Sequence, residues 1–349
     1  MTTDSRSFMA RHGLAVPIIQ APMAGYQASA LAVGAGSAGA LGSLPGASLA
    51  PPVLAEEIAA IRAAGQRAVN VNFFVHTPPA PDARAQQVWR DRLRPYYEEF
   101  GLDPADVPTG PGRQPFGDEA LALIETLRPE VVSFHFGLPR PALFEAVRRT
   151  GAQIWSSATT IEEARWLEAR GVDVLIAQGT EAGGHRGIFL GNDLAGQPST
   201  LPLLKRILAE TRLPVIAAGG LGDADSVANA LAQGACAVLI GTAFLLSPEA
   251  LTNPVHRAAL GASGELRTAL TNVYTGRPAR GIVNRLMREL DFICPVSPAF
   301  PSAVNAVAPL RAAAERLGSG DFSPMWAGQG ARPQAAPAAE VVAALARKL

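Results

Sequence analysis

The sequence predicts an α/β protein: a (β/α)8 TIM barrel with a smaller second domain capping the C-terminal face of its strands. Three observations predict it. Eight short apolar stretches rich in Val, Ile and Phe alternate with helix-like segments. Those stretches are almost continuously apolar rather than alternating, as strands of a parallel sheet covered on both faces must be. Two further segments break the rhythm, and they would supply the second domain. An open doubly wound sheet is the competing arrangement of the same units.

The strands read in order as PIIQAP (17–22), AGALGSL (38–44), AVNVNFF (68–74), VVSFHFG (131–137), QIWSSA (153–158), VDVLIAQG (172–179), LPVIAAGG (213–220) and ACAVLIGTAF (235–244). Between them lie helical patterns such as PVLAEEIAAIRAAG (52–65), TTIEEARWLEARG (159–171) and DADSVANALAQGA (223–235). Several begin with Thr or Asp and end at Gly, as helix caps should. Residues 77–116 are Pro-rich around QQVWRDRLRPYYEEFG, and residues 259–330 show no strand–helix alternation. The barrel would then comprise 1–76, 117–258 and 331–349, with 77–116 and 259–330 as the capping domain. The final AAPAAEVVAALARKL reads as a helix returning to the barrel.

Composition narrows the function. The 349 residues balance 30 Lys and Arg against 30 Asp and Glu, so no global field draws the chain to nucleic acid or anionic lipid. No apolar run approaches the roughly 18 residues of a membrane span, and the first residues lack a signal peptide's apolar core. Two cysteines, Cys236 and Cys294, are too few for a disulfide framework or a thiolate zinc site. A cytoplasmic protein without bound metal is the expectation.

The active site of such a barrel lies at the C-terminal strand ends. Side chains alternate inward and outward along a strand, so parity selects the candidates. His135 shares a face with Val131 and Ser133, leaving Phe134 and Phe136 to the helix layer. Asn70 and Asn72 share a face, and Gln178 shares one with Val174 and Ile176. Asn72, His135 and Gln178 therefore converge on the barrel mouth, either to bind a ligand or to satisfy one another. The seventh and eighth strands end in AAGG (217–220) and LIGT (239–242), the usual position of a phosphate site in these barrels. No GxxxxGK[ST] is present. In EAGGHRG (181–187), three glycines around His185 suggest a backbone pressed against a flat ligand, with His185 pointing inward. Glu181 and Arg186 read equally well as solvated loop charges.

PIIQAPMAG (17–25), VNFF (71–74), SFHFG (133–137) and QGTEAGGHRG (178–187), with AAGG, IGTAFL (240–245) and WAGQ (326–329), resemble the class I nitronate monooxygenases, formerly called 2-nitropropane dioxygenases. The similarity runs in order over nearly the whole chain. It implies an FMN-containing enzyme that oxidises alkyl nitronates with O2 to carbonyl compounds and nitrite. Carried over, the resemblance has FMN touch Met23, Asn72, Gln178 and Gly183, with Gly219, Gly220, Leu239, Ile240, Gly241 and Thr242 at its phosphate. His185 matches the family's active-site histidine, and His135 a second histidine near the substrate. The chain departs from the family at AGALG (38–42) and around AFPSAVNAVAPLRAAA (299–314), where it is mostly apolar. Two other functions share parts of this pattern: a flavin-dependent NAD(P)H enoyl-thioester or quinone reductase, and a flavin-free sugar-phosphate isomerase or lyase. The related nucleotide dehydrogenases need a nucleophilic cysteine at a strand end, which neither Cys236 nor Cys294 provides.

Overall fold

A computed structural model describes residues 3–107, 110, 112–262, 264, 266–330 and 333–349. The eight expected strands are all present: β1 (Ile18–Gln20), β2 (Gly42–Leu44), β3 (Val69–Phe74), β4 (Val131–His135), β5 (Gln153–Ala158), β6 (Val174–Gln178), β8 (Val215–Ala218) and β9 (Ala237–Ile240). A further two-residue strand, β7 (Gly184–His185), falls between β6 and β8. The eight pair in parallel in the order β1-β9-β8-β6-β5-β4-β3-β2. The ring is closed by a parallel bridge between Ile19 and Leu41, where Leu41 N donates to Ile18 O and Gln20 N donates to Leu41 O. The sheet is thus a (β/α)8 barrel rather than an open doubly wound sheet.

Parity sorts the core as the pleat requires. Val132, Phe134, Ile154, Leu175 and Ala177 face the helix layer. Val131, Trp155, Val174, Ile176 and Ile216 fill the barrel, whose lower end is stopped by Phe8 of the helix Thr3–His12, with its ring 5.5 Å from that of Trp155. Each such side chain contributes about 1.5–3 kcal/mol by leaving water. The caps read from sequence form: the Thr160 side chain accepts from Glu163 N, and Asp223 makes a capping box with Ser226. The C-terminal helix Ala338–Leu345 packs on the helix Ser29–Ser37 and buries Val342 and Leu345 in the barrel's outer core.

A second hydrophobic core draws only on residues 89–107 and 269–326. The helix Ala83–Glu99 brings Trp89, Leu93 and Tyr97 against Tyr274, Met287, Leu310 and Phe322. Buried polar tips are satisfied there: Trp89 Nε1 donates to Ala303 O at 3.2 Å and Tyr97 Oη to Ala306 O at 2.6 Å. We propose that the two rhythm-breaking segments, 77–116 and 259–330, form the capping unit around this core. Beside it, β10 (Thr268–Thr271) and β11 (Ala279–Ile282) make an antiparallel pair that β7 joins, with His185 opposite Ala279. The glycine loop of the barrel is therefore one edge of the second sheet.

Candidate active site

A cavity of about 790 Å³ opens at the C-terminal ends of the barrel strands. All twelve residues singled out above line it. Met23 follows β1, Asn72 stands on β3, His135 ends β4, and Gln178 ends β6. Gly183 and His185 come from the loop after β6, Gly219 and Gly220 follow β8, Leu239 and Ile240 end β9, and Gly241 and Thr242 follow it. The apolar wall beyond them includes Phe74, Phe300 and Val304.

The polar side chains at the mouth grip one another and the His185 loop. Asn72 Nδ2 donates to Ser133 Oγ at 2.9 Å. Gln178 Nε2 donates to the carbonyl oxygen of His185 at 2.9 Å, and its Oε1 accepts from Gly187 N at 2.8 Å. His135 Nε2 lies 3.1 Å from the same His185 oxygen, which can only accept, so Nε2 carries the proton. Its Nδ1 then accepts from Ser157 Oγ at 2.6 Å. Both ring nitrogens of His135 are thus engaged within the protein.

His185 is arranged differently. Its Nε2 lies 3.0 Å from Thr275 Oγ1, whose hydroxyl points to Arg277 O at 3.3 Å. Thr275 therefore accepts, the proton sits on Nε2, and Nδ1 keeps its lone pair with no partner among the described residues. Burial first, then the positive charges of Arg113 and Arg277, holds the His185 pKa well below 6.5. Burial likewise lowers His135 to about 3. Both imidazoles are neutral at pH 7.

Three features differ from the reading of the sequence. Phe136 does not face the helix layer: the strand ends at His135, and Phe136 adopts φ +77°, which breaks the alternation on which parity rests. Its ring instead packs with Phe74, His185 and Phe300. Arg186 is not a solvated loop charge but is fully buried, donating to Gln197 Oε1 and to the carbonyl oxygens of Gln178 and Gly179. The Glu181 carboxylate likewise is committed, accepting from the Thr200 N–H at 2.9 Å. Third, the glycines of the loop answer to the protein itself as well as to the cavity. A Cβ on Gly183 would meet the 327–328 backbone at 2.6 Å, and one on Gly187 would meet His135 Cε1 at 2.9 Å. Only glycine allows these approaches.

The cavity also holds residues that no motif announced, among them Arg113, Tyr274, Thr275 and Phe300. Cys236 is buried, and burial pushes its thiol up to about 12, so it is no nucleophile. Among the described residues, no group of His, Cys, Asp and Glu could hold a metal ion, and no helix is long and apolar enough to cross a membrane.

Comparison with known proteins adds identity to this geometry. The family model described as nitronate monooxygenase matches residues 6–348. The nitronate monooxygenase of Paraburkholderia phytofirmans is 38% identical over 99% of this chain and 96% of its own. That of Pseudomonas aeruginosa is 39% identical over 97% of each chain. Among solved structures, a nitroalkane oxidase from Streptomyces ansochromogenes superposes with a TM-score of 0.88 at 36% identity, covering 98% of this chain and 97% of its own. FabK from Thermotoga maritima superposes with a TM-score of 0.70 at 23% identity over 98% of this chain and 95% of its own, a likeness of fold.

Proposed function

The chain belongs to the nitronate monooxygenase family, and from that premise we propose that it uses FMN and O2 to oxidise alkyl nitronates to carbonyl compounds and nitrite. The observation that carries the reading is a set of glycine-rich strand ends and a neutral histidine facing one cavity that, among the described residues, no carboxylate lines. At these strand ends, the backbone N–H groups of Gly220, Gly241 and Thr242 donate to no carbonyl among the described residues. Gly219 and Gly220 hold φ of +113° and +67°, the left-handed turn in which successive amides can form an anion-binding nest. The Thr242 hydroxyl accepts from Gly328 N at 2.9 Å and keeps its own proton to donate. Such a set suits a phosphate dianion, and the residues present fit FMN. Gly219, Gly220 and Leu239 to Thr242 would hold the phosphate, and Met23, Asn72, Gln178 and Gly183 would flank the rest of the cofactor.

Bound FMN would supply the electron acceptor through which nitronate and O2 react. The chain's own groups bind and orient. His185, neutral with a free Nδ1, would take the α-proton of a nitroalkane. A neutral ring cannot give a nitronate the charge-assisted bond that a protonated one would. His135 and Gln178 hold the His185 carbonyl, and the apolar wall at 300–307 excludes water from the reacting carbon.

The test compares O2 uptake and nitrite release with an alkyl nitronate against NADH oxidation with a quinone. O2 uptake with stoichiometric nitrite and released FMN supports the reading. Rapid NADH oxidation without nitronate turnover would move the protein to the reductases, and a colourless protein would move it to the isomerases. In the same preparation, Gly220→Glu is expected to abolish FMN retention. Its Cβ would lie 3.0 Å from Glu181 Cβ, and the new carboxylate would bring negative charge to the place where a dianion must bind, at a cost of several kcal/mol. Gly220→Ala shares the left-handed backbone strain without the charge and should stay yellow. Equal colour in wild type and the Glu variant removes Gly220 from the phosphate site.

A further inference from the structure

Among the described residues, two arginines and no carboxylate line the cavity and a third arginine lies close by, yet the three guanidinium groups are spent very differently. Arg311 pairs with Glu315 at 2.7 Å. Arg277 does not line the cavity. It sits 3.9 Å over the Phe136 ring and donates to Ile188 O. Arg113 lines the cavity, lies 5.3 Å from the Phe74 ring centroid, and makes no hydrogen bond or ion pair through its guanidinium among the described residues.

Its position is held by the backbone. His76 Nε2 donates to the Arg113 carbonyl at 3.1 Å, and Phe116 N donates to Phe74 O at 2.7 Å, which clips the segment onto the end of β3. Phe74 in turn lies 5.9 Å from the His185 ring. The third strand stands across the barrel mouth from the eighth and ninth in the ring, so Arg113 is remote from the glycine cradle at 219–220 and 241–242. Arg113 is only partly exposed, and an unpaired cation stripped of much of its water carries a cost that is relieved when an anion enters. Burial lowers the Arg113 pKa, which is the mark of that cost.

We propose that Arg113 is the anchor for the anionic oxygens of the nitronate, holding them beside His185. The inference rests on the proposed function, because a nitronate is the anion that reading brings into the cavity. It assigns the charge recognition to Arg113 and leaves His185 neutral. The planar, delocalised oxygens of a nitronate resemble those of a carboxylate, which a guanidinium meets in bidentate fashion.

The experiment uses the holoenzyme in three forms: wild type, Arg113→Met and Arg113→Lys. Steady-state rates are read with an alkyl nitronate bearing no other charge and with its neutral nitroalkane. In parallel, nitrate, an inert planar oxyanion, is titrated by calorimetry. Arg113→Met should raise KM for the nitronate about ten- to a hundredfold, with the effect on KM rather than kcat. KM for the neutral nitroalkane should change far less, nitrate binding should be lost, and Arg113→Lys should recover most of both. Arg113→Gln serves if the Met variant fails to fold. Unchanged nitrate binding in the uncharged variants, or an equal rise in KM for charged and neutral substrates, overturns the proposal. If the wild type does not turn over nitronate yet binds nitrate through Arg113, the anchor stands and the substrate reading falls.

Discussion

Acidification from pH 7 to pH 5 is expected to bring the folded protein close to unfolding, because all five of its histidines are neutral in the native state. Burial is the first cause in each. It lowers His12, His76 and His256 to about 4 and His135 to about 3, with His185 well below 6.5. The sign follows from linkage. The native pKa values lie below the unfolded value near 6.5, so the unfolded chain binds more protons throughout the window between them. The stability is complete above pH 6.5 and is lost as pH falls towards the native values. At pH 5 an unfolded histidine is about 1.5 units below its pKa, so each group forgoes about 2 kcal/mol. The four held at about 3 to 4, His12, His76, His135 and His256, together approach the whole of a typical domain stability of roughly 5–15 kcal/mol.

The measurement is the melting temperature at pH 7, 6 and 5, read by circular dichroism at constant ionic strength. A steep fall is expected before the usual carboxylate range is reached. His256 offers the internal control: it is buried, and neither ring nitrogen finds a partner among the described residues. Its ring lies edge-on to Tyr26 at 5.2 Å, so Phe can take its place against the same neighbour. His256→Phe should flatten the pH dependence by about one histidine's share, about 2 kcal/mol at pH 5. A melting temperature level from pH 7 to pH 5 contradicts the assignment of neutral buried rings.

The barrel was legible because a parallel strand covered on both faces leaves a continuous apolar signature, and a helix between two strands leaves its caps. The cavity lining followed from where strands end. What escaped depended on contacts between distant segments. β7 is two residues long and is defined only by its pairing with Ala279 and Arg280, so no periodicity betrays it. Arg186 looks like any loop charge until the fold delivers the carbonyls of Gln178 and Gly179 to it. Phe136 failed for a local reason, since one left-handed residue reverses parity. Arg113 and Thr275 belong to no motif, and only the folding of segments distant in sequence brings them to the cavity that His185 lines.

Replacement of His185 by Asn should separate the two ionisation states of a single substrate. With the neutral nitroalkane, kcat/KM is expected to fall by about 10²- to 10⁴-fold, the usual contribution of a positioned proton transfer. With the pre-formed nitronate no proton has to be removed. His185 is neutral, its Nε2 proton is already given to Thr275 and its Nδ1 carries only a lone pair, so it donates no hydrogen bond to the nitronate and the loss should stay near tenfold or below. The loop should survive the change. His135 and Gln178 grip the carbonyl oxygen of residue 185, and β11 pairs with its backbone, so none of these bonds uses the imidazole. Asn does lose ring contacts to Phe300 at 5.4 Å and Trp326 at 5.6 Å, so retained FMN and an unchanged circular dichroism spectrum are the necessary controls. The wild-type pH profile carries a second check. A base must be unprotonated, so nitroalkane turnover is lost below the His185 pKa; with that pKa held well below 6.5, kcat/KM should be level from pH 6.5 upward. A profile that rises with a midpoint near 6.5 or above, or a variant equally impaired with both forms, would show that the proton is taken elsewhere and that His185 serves only to shape the cavity.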